Sequence, residues 1–295
     1  MRKSAPWALL SVARCPARPI KGLSRPLYYE RNSVFTYLTS SAMLPYRPLG
    51  FAQSVLYFGV SALLFRLSVY LLLPFLLASG VAAFTSFLIS YSVPLSAFIL
   101  ATVGLVAQEK NLPHWRARLR FSPLTGRQVL LCLGLFVLSF LLTGLLLPTA
   151  RYLAAIPQLA PPDFLPDLLN PNAAAPGGAP TTFMGVTLKG AYWVIPVYFI
   201  FLTFFNILGE EIWFRGYLLP RQELVWGGRT WLYHGIFWCL FHTPIYPWTI
   251  VYLLPTTLAV SYAAQRFRNT WAGFLIHYAG NGVLALIPII LGVLR

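Results

Sequence analysis

The chain has 295 residues, a net charge of +15 at pH 7, and a composition that is 58% hydrophobic and 10% charged. A soluble domain is nearer half apolar and about a quarter charged, so this composition excludes an ordinary soluble enzyme. The basic residues cluster in short segments between long apolar runs, which is typical of cytoplasmic membrane loops rather than of a nucleic-acid-binding surface. The sequence therefore predicts an all-α, polytopic transmembrane helix bundle that contacts the lipid bilayer and binds no nucleic acid.

Residues 1–50 are rich in Lys and Arg and contain one acidic residue, Glu30. We interpret this segment as a basic cytoplasmic tail held near anionic lipid. An Arg-rich, acid-poor start is also typical of an organellar transit peptide, and that alternative stays open. The expected location is the bacterial plasma membrane, with an organellar membrane as the alternative.

Residues 51–150 are predicted to form the N-terminal transmembrane helices. From the lengths of the apolar runs, spans are predicted at about 52–76, 82–107 and 129–149. Arg66 is the one charge within the first two spans, and we expect it to pair inside the bundle or reach the membrane surface. The segment between the second and third spans carries five Lys and Arg residues and is predicted to be cytoplasmic.

Residues 151–189 are rich in Pro, Ala and Gly and have no Lys or Arg between their two basic ends, which predicts an extracytoplasmic loop. Residues 190–295 would then form a catalytic transmembrane domain. Its spans are predicted at about 190–208, 230–243, 248–265 and 271–293. We therefore expect seven or eight spans, with the N-terminus and the main basic clusters on the cytoplasmic side.

Two adjacent acidic residues, Glu210 and Glu211, follow directly on the fourth predicted span, although the whole chain has only seven. An ionised carboxylate beside hydrocarbon is costly unless it is paired or used in chemistry. Arg215 lies four residues after Glu211, so the two share a helix face and can pair. Glu210 is rotated by about 100° around the helix and has no local partner. Glu210 is therefore the candidate reactive carboxylate.

Two later apolar runs also contain polar residues. His242 ends the stretch Trp238–His242, and His277 and Asn281 lie four residues apart on one helix face. A single intramembrane His or Asn more often joins helices by hydrogen bonds than performs chemistry. Together with the carboxylates, however, these residues indicate a site between the later helices.

Three motifs occur in a fixed order: E-E-x-x-x-R from Glu210, an aromatic-x-x-x-H from Trp238, and H-x-x-x-N from His277. This order resembles the CPBP intramembrane protease family, which includes CAAX prenyl endopeptidases and Abi-type bacteriocin-processing or immunity proteins. The resemblance covers residues 190–285. The second motif of the family usually begins with Phe, and we expect Trp238 to keep an aromatic packing role.

The resemblance implies that Glu210 is the catalytic carboxylate, that His242 is its partner, and that His277 and Asn281 complete the polar wall. Hydrolysis of a peptide bond in a membrane-associated protein or peptide needs a base, an acid and oxyanion donors. A desolvated carboxylate is a stronger base, so Glu210 can take a proton from a water that His242 holds. The N–H groups of His277 and Asn281 would stabilise the oxyanion. Glu211, paired with Arg215, would orient the helix.

Two alternatives stay open. Glu210, His242 and His277 could together hold zinc or another divalent metal that activates water. The chain lacks H-E-x-x-H, so neither a metal nor any other cofactor is favoured. The protein could also be non-hydrolytic, as a membrane scaffold, a bacteriocin-immunity-type protein or a transporter, and a scaffold would tolerate the loss of Glu210.

Overall fold

The computed structural model describes residues 47–110, 114–173 and 178–295. The predicted N-terminal tail, with its transit-peptide alternative, lies outside the described residues except for its last few positions. The first half of the described chain contains helices α1 (Phe51–Ala78, with a π-helical turn at Ser68–Leu72), α2 (Ala83–Gln108), α3 (Trp115–Arg118), α4 (Gly126–Leu146) and α5 (Pro148–Ala154).

The second half begins with a two-stranded antiparallel hairpin, β1 (Thr182–Phe183) and β2 (Val186–Thr187), in which Thr182 lies opposite Thr187. Its helices are α6 (Val194–Ile200), α7 (Leu219–Trp226), α8 (Thr230–His242), α9 (Leu254–Phe267), α10 (Thr270–His277) and α11 (Ala285–Leu294). Three π-helical segments connect them: Phe201–Leu208 and Glu211–Leu218 between α6 and α7, and Tyr278–Leu284 between α10 and α11. The predicted all-α helix bundle is confirmed.

Five stretches of the described chain are long and apolar enough to span a membrane: Phe51–Ala78, Ala83–Gln108, Gly126–Leu146, Val194–His242 and Thr270–Leu294. The fourth contains two predicted spans, which are separated where α7 ends at Gly227. Its φ of 55° is a conformation that glycine adopts without strain. Helix α9, which covers the sixth predicted span, has 14 residues, fewer than the roughly 20 that a span needs. The number of spans thus stays a prediction.

The outer faces of the helices show why a bilayer is required. In α4, Leu130 is 71% exposed and Leu145 is 75% exposed, and neighbouring Leu, Val and Phe side chains are also open. A contiguous apolar surface of this kind is unfavourable in water but matches lipid chains. The helix begins with a capping box, in which Thr125 Oγ1 accepts from Gln128 N at 3.3 Å.

An aromatic cluster joins the N-terminal helices to those that carry the candidate site. Phe58 of α1 stacks on Phe214 with the ring centroids 5.0 Å apart, and Phe214 lies 5.0 Å from Phe241 of α8. Phe98 of α2 packs edge-on against the ring of Phe214. Aromatic pairs of this kind add directional packing to the burial of apolar area, so this cluster fixes the Glu211–Leu218 segment against α1, α2 and α8.

The basic segment after α2 packs under the site helices. Arg118 is buried and donates to Glu109 at 2.6 and 3.1 Å and to the Gly216 carbonyl at 3.3 Å. Arg120 binds both carboxylate oxygens of Glu223, at 2.8 and 2.7 Å. These charge-assisted bonds tie the segment to the helix that carries Glu210.

Candidate active site

Two π-helical segments adjoin or contain residues of the site. Glu210 directly precedes the π-helical segment Glu211–Leu218, and Asn281 lies within the segment Tyr278–Leu284. Single π-helical turns are rare and are frequently found at functional sites. Gly209 faces α2, where a Cβ would lie in ordinary van der Waals contact with the Leu95 carbonyl oxygen, 3.5 Å away.

Glu210 is buried and has one strong donor. Its Oε2 accepts a hydrogen bond from Nε1 of Trp238 at 3.0 Å. Its Oε1 makes no hydrogen bond within the described part of the chain. The carboxylate is therefore held at one oxygen and open at the other.

His242 is oriented by the backbone of its own helix. Its Nδ1 lies 2.8 Å from the carbonyl oxygen of Trp238, which can only accept, so the imidazole proton is on Nδ1. The lone pair of Nε2 is then available to accept a hydrogen bond. Arg66 of α1 holds the chain just after this histidine by donating to the Pro244 carbonyl at 2.6 Å, at an exposed position.

Glu211 is fully buried and binds two side chains rather than one. Its Oε1 lies 3.3 Å from Nη1 of Arg215, as the four-residue spacing predicted. The same oxygen lies 3.0 Å from Nδ1 of His277. Its Oε2 faces Gly273 of α10, where a Cβ would lie 2.5 Å away. Glu211 therefore links its own helix to α10.

His277 and Asn281 extend this chain of hydrogen bonds. Asn281 Nδ2 lies 3.2 Å from His277 Nε2. Because an amide nitrogen can only donate, Nε2 is the acceptor and the proton of His277 is on Nδ1, where it donates to Glu211. Asn281 is exposed and keeps a second N–H. His277 can donate to an oxyanion only if it gives up one of these bonds.

Trp238 contacts both halves of the site. Its indole donates to Glu210, and its carbonyl accepts from His242. The guanidinium carbon of Arg215 lies 3.3 Å from the centroid of the indole ring, as in a cation–π contact. The rings of His242 and His277 meet the indole edge-on, with centroids 5.6 and 5.1 Å away.

Sequence reasoning gave Trp238 only a packing role and missed its hydrogen bond. The available signal was the residue type: Trp has an N–H donor that the Phe of the usual family pattern lacks. The structure therefore brings together all six predicted residues, through direct contacts and through Trp238: Glu210, Glu211, Arg215, His242, His277 and Asn281.

The alternative metal centre at Glu210, His242 and His277 does not fit this arrangement. In the described residues, no three His, Cys, Asp or Glu side chains lie close enough together to hold a metal ion. Both ring nitrogens of His277 are engaged by Glu211 and Asn281, and Nδ1 of His242 is protonated. A nitrogen that binds a metal must offer a free lone pair. Of the four ring nitrogens of His242 and His277, Nε2 of His242 has its lone pair free.

Residues 192–283, about a third of the chain, match the family model described as "Type II CAAX prenyl endopeptidase Rce1-like". Residues 192–283 therefore match the CPBP (CAAX protease) family. The match contains the whole site from Glu210 to Asn281, so the resemblance of the three motifs is confirmed. No curated protein and no solved structure matches the chain. The family and the apolar helices together identify a multi-pass membrane protein.

Proposed function

We propose that this CAAX-protease-family protein is an intramembrane endopeptidase that hydrolyses a peptide bond in a membrane-associated protein or peptide. One observation carries the proposal. Glu210 and His242 are both held by Trp238, and each keeps an uncommitted acceptor, Oε1 of Glu210 and Nε2 of His242. Two acceptors held by one residue, one through its indole N–H and the other through its backbone carbonyl, can bind the two hydrogens of a single water.

In the proposed reaction, Glu210 takes a proton from this water while His242 accepts the other hydrogen in a hydrogen bond. The water oxygen attacks the peptide carbonyl, and the carbonyl oxygen becomes an oxyanion. Glu210 then returns its proton to the leaving nitrogen as the C–N bond breaks, which gives a free amine and a carboxylic acid. Burial favours the first proton transfer because a desolvated carboxylate accepts a proton more readily than a solvated one. The proton is returned because the leaving amine nitrogen is a stronger base than the carboxylate.

The oxyanion would be stabilised by Asn281, whose second amide N–H is not used by His277. His277 fixes the Asn281 amide by accepting a hydrogen bond from it, and Glu211 fixes His277 by accepting a hydrogen bond in turn. Such donors act best when they are fixed before the reaction, and the chain from Glu211 to Asn281 supplies that fixation. Arg215 balances the charge of Glu211 in the apolar interior.

We further propose that the protein resides in the bacterial plasma membrane. The basic segments between apolar runs support this, because they follow the charge pattern of cytoplasmic loops in that membrane.

Replacement of Glu210 by Gln tests the function. Gln keeps the shape of the side chain but cannot accept a proton near neutral pH, so cleavage should stop while the protein stays folded and inserted. Membrane proteins from cells that carry the wild type or the Gln variant would be compared by terminal-peptide mass spectrometry. A protein or peptide that accumulates uncut in the variant identifies the substrate.

The matched control is Asp163→Asn, which makes the same acid-to-amide change in an exposed loop. Cleavage of the identified substrate by purified wild type in vesicles, and by the control, should be equal. Retained cleavage by the purified Gln variant would show that Glu210 is not the catalytic base. A Gln variant that supports the same growth and the same set of cleaved membrane proteins as the wild type would favour the scaffold or immunity function.

A further inference from the structure

A cavity of about 690 Å³ lies beside the candidate active site, between α2, the basic segment at residues 115–123, and the helix that carries Glu210. Its volume is in the range of about 300–1,000 Å³ that ligand sites usually have. Most of its wall is apolar, with Ile99, Val103 and Val106 on one side and Leu208 and Ile212 on the other.

The cavity extends along α2. Its wall includes Ile99 and Val106, and seven residues of an α-helix extend about 10 Å. One end is lined by Ile99 and Leu208, two residues before Glu210. The other end is lined by Trp115 and Arg116, beyond the end of α2. This placement of the lining residues suits an apolar chain whose polar end lies at Arg116.

Among the polar side chains of the wall, Arg116 carries a charge that no carboxylate of the described residues balances. Thr102 Oγ1 donates to the Phe98 carbonyl at 2.8 Å, and Ser122 Oγ accepts from Asn269 at 3.0 Å. Arg116 is exposed, and the described residues offer it the face of Trp115, with 5.4 Å from the guanidinium carbon to the ring centroid, but no carboxylate.

The nearby acidic residues are already committed. Glu109 is bound to Arg118, and Glu223 is bound to Arg120. The cavity therefore combines an apolar interior with a cation at its mouth that has no counter-ion from these acids.

We propose that the cavity binds an acyl chain of an anionic phospholipid from the surrounding bilayer, with the lipid phosphate on Arg116. The segment that contains Arg116 connects two candidate membrane-spanning helices, α2 and α4, so it lies at a membrane surface where headgroups are found. Five basic residues between positions 109 and 127 mark that surface as cytoplasmic, and the cytoplasmic leaflet is the one rich in anionic lipid.

The charge of Arg116 decides between classes of lipid. A zwitterionic headgroup carries its own cation beside the phosphate, which reduces its attraction to Arg116, whereas phosphatidylglycerol does not. The bound chain would contact Leu208 and Ile212, and so would stabilise the helix around Glu210. This proposal does not rest on peptidase activity.

The full-length protein in detergent would be titrated with phosphatidylglycerol and with phosphatidylcholine of identical acyl chains, and binding followed by native mass spectrometry and thermal unfolding. We expect phosphatidylglycerol to bind at least ten-fold more tightly. Arg116→Gln should remove most of that preference, whereas Arg127→Gln, at an exposed arginine of the same basic segment outside the cavity wall, should keep it.

A second pair of variants tests the apolar part. Val103→Trp should fill the cavity and weaken binding of both lipids at least ten-fold. Val137→Trp on α4 is the matched control, because Val137 is 52% exposed and Val103 is 51% exposed. It should leave binding unchanged, because Val137 lies outside the cavity wall. Inorganic phosphate alone should not compete, because it lacks the chain.

Three results would overturn the proposal: equal affinity for the two lipids, equal loss of preference in Arg116→Gln and Arg127→Gln, or effective competition by inorganic phosphate. Binding of a lipid-modified peptide that Val103→Trp blocks, with phospholipid binding unaffected, would also overturn it, because the cavity would then hold a substrate lipid. Since unfolding and binding are measured without cleavage, failure here is distinct from failure of the peptidase proposal.

Discussion

Nε1 of Trp238 lies 3.0 Å from Oε2 of Glu210, although the two residues are 28 positions apart in the sequence. The same indole stacks on Arg215 and meets His242 and His277 edge-on. One side chain thus holds the carboxylate and packs against both imidazoles. Trp238 is therefore a positioning residue in the proposed mechanism, and its N–H group can be tested separately from its ring.

Trp238→Phe keeps the ring contacts but removes the donor to Glu210. A hydrogen bond to a charged group is worth about 1.5–3 kcal/mol, so we expect kcat to fall roughly ten- to a hundred-fold. KM should change little, whereas the unfolding temperature should fall slightly, because the buried Glu210 oxygen loses its donor although the aromatic packing is largely kept. Trp193→Phe, at a half-exposed indole that packs on Phe84, is the control and should retain full activity. Equal kcat in Trp238→Phe and wild type would show that the hydrogen bond has no role in turnover.

Arg215→Ala should be strongly destabilising. Both side chains of the Glu211–Arg215 pair are fully buried, and removal of one partner from such a pair costs roughly 3–5 kcal/mol. That is a large part of the 5–15 kcal/mol that typically stabilises a folded protein, so yield and unfolding temperature should both drop. Unfolding in detergent measures the effect. An Ala variant that is stable but inactive would place Arg215 in the chemistry.

The double variant Glu211→Gln with Arg215→Met separates charge balance from function. Removing both charges leaves no unpaired ion, so most of the stability lost in Arg215→Ala should return. Cleavage should stay low because His277 no longer donates to a carboxylate. Recovery of activity together with stability would limit Glu211 to a structural role.

Local spacing predicted the contacts that lie within one helix. Glu211 and Arg215 pair at 3.3 Å, and His277 and Asn281 at 3.2 Å, each four residues apart. The order of three weak motifs also predicted which helices would meet. Those parts of the site follow from helix geometry and from the cost of leaving polar groups alone in an apolar chain.

The contacts between helices could not be read from the sequence. Glu211 and His277 are 66 residues apart, and their hydrogen bond depends on how α10 crosses the helix of Glu211. Spacing alone gave Glu211 one partner, Arg215, where the structure gives two. Hydropathy shows how long an apolar stretch is but not where a helix ends and turns back. For this reason it did not show that Val194–His242 is one long helical stretch or that α9 is short.

Asn281→Ala should lower kcat without unfolding the protein. Loss of one preorganised oxyanion donor costs roughly 10²–10³ in turnover in well-studied hydrolases. His277→Ala should give a comparable loss, because the Asn281 amide loses its acceptor and Glu211 loses a donor. Steady-state cleavage in vesicles measures both, with Asn172→Ala in an exposed loop as the control. Normal turnover in Asn281→Ala would require another oxyanion donor.

Removal of divalent metal should have little effect on cleavage. The ring nitrogens of His277 are engaged, so Glu210, His242 and His277 cannot form a three-ligand site without breaking these bonds. The purified protein would be treated with phenanthroline and assayed beside a known zinc protease in the same vesicles, which should lose activity. Inhibition that a divalent ion reverses, together with one tightly bound zinc per active chain, would contradict the direct mechanism.

Gly273 provides the last test because the sequence gave no reason to choose it. A Cβ at this position would lie 2.5 Å from Oε2 of Glu211 and 3.3 Å from Cγ1 of Val260. Glu211 cannot move away freely, since Arg215 and His277 hold its other oxygen. We expect Gly273→Ala to lower the stability by about 1–3 kcal/mol, as overpacking usually does, and to reduce kcat by displacing Glu211 from His277.

Gly134→Ala is the matched control, because it adds the same methyl group to α4 where nothing lies within 4 Å. In an open helical position this change should be neutral or stabilising by up to about 1 kcal/mol. Thermal unfolding and steady-state cleavage of the two variants, measured side by side, give the comparison. If Gly273→Ala behaved like Gly134→Ala in both measurements, Glu211 would not lie against α10, and the hydrogen-bond chain from Glu211 to Asn281 would be wrong.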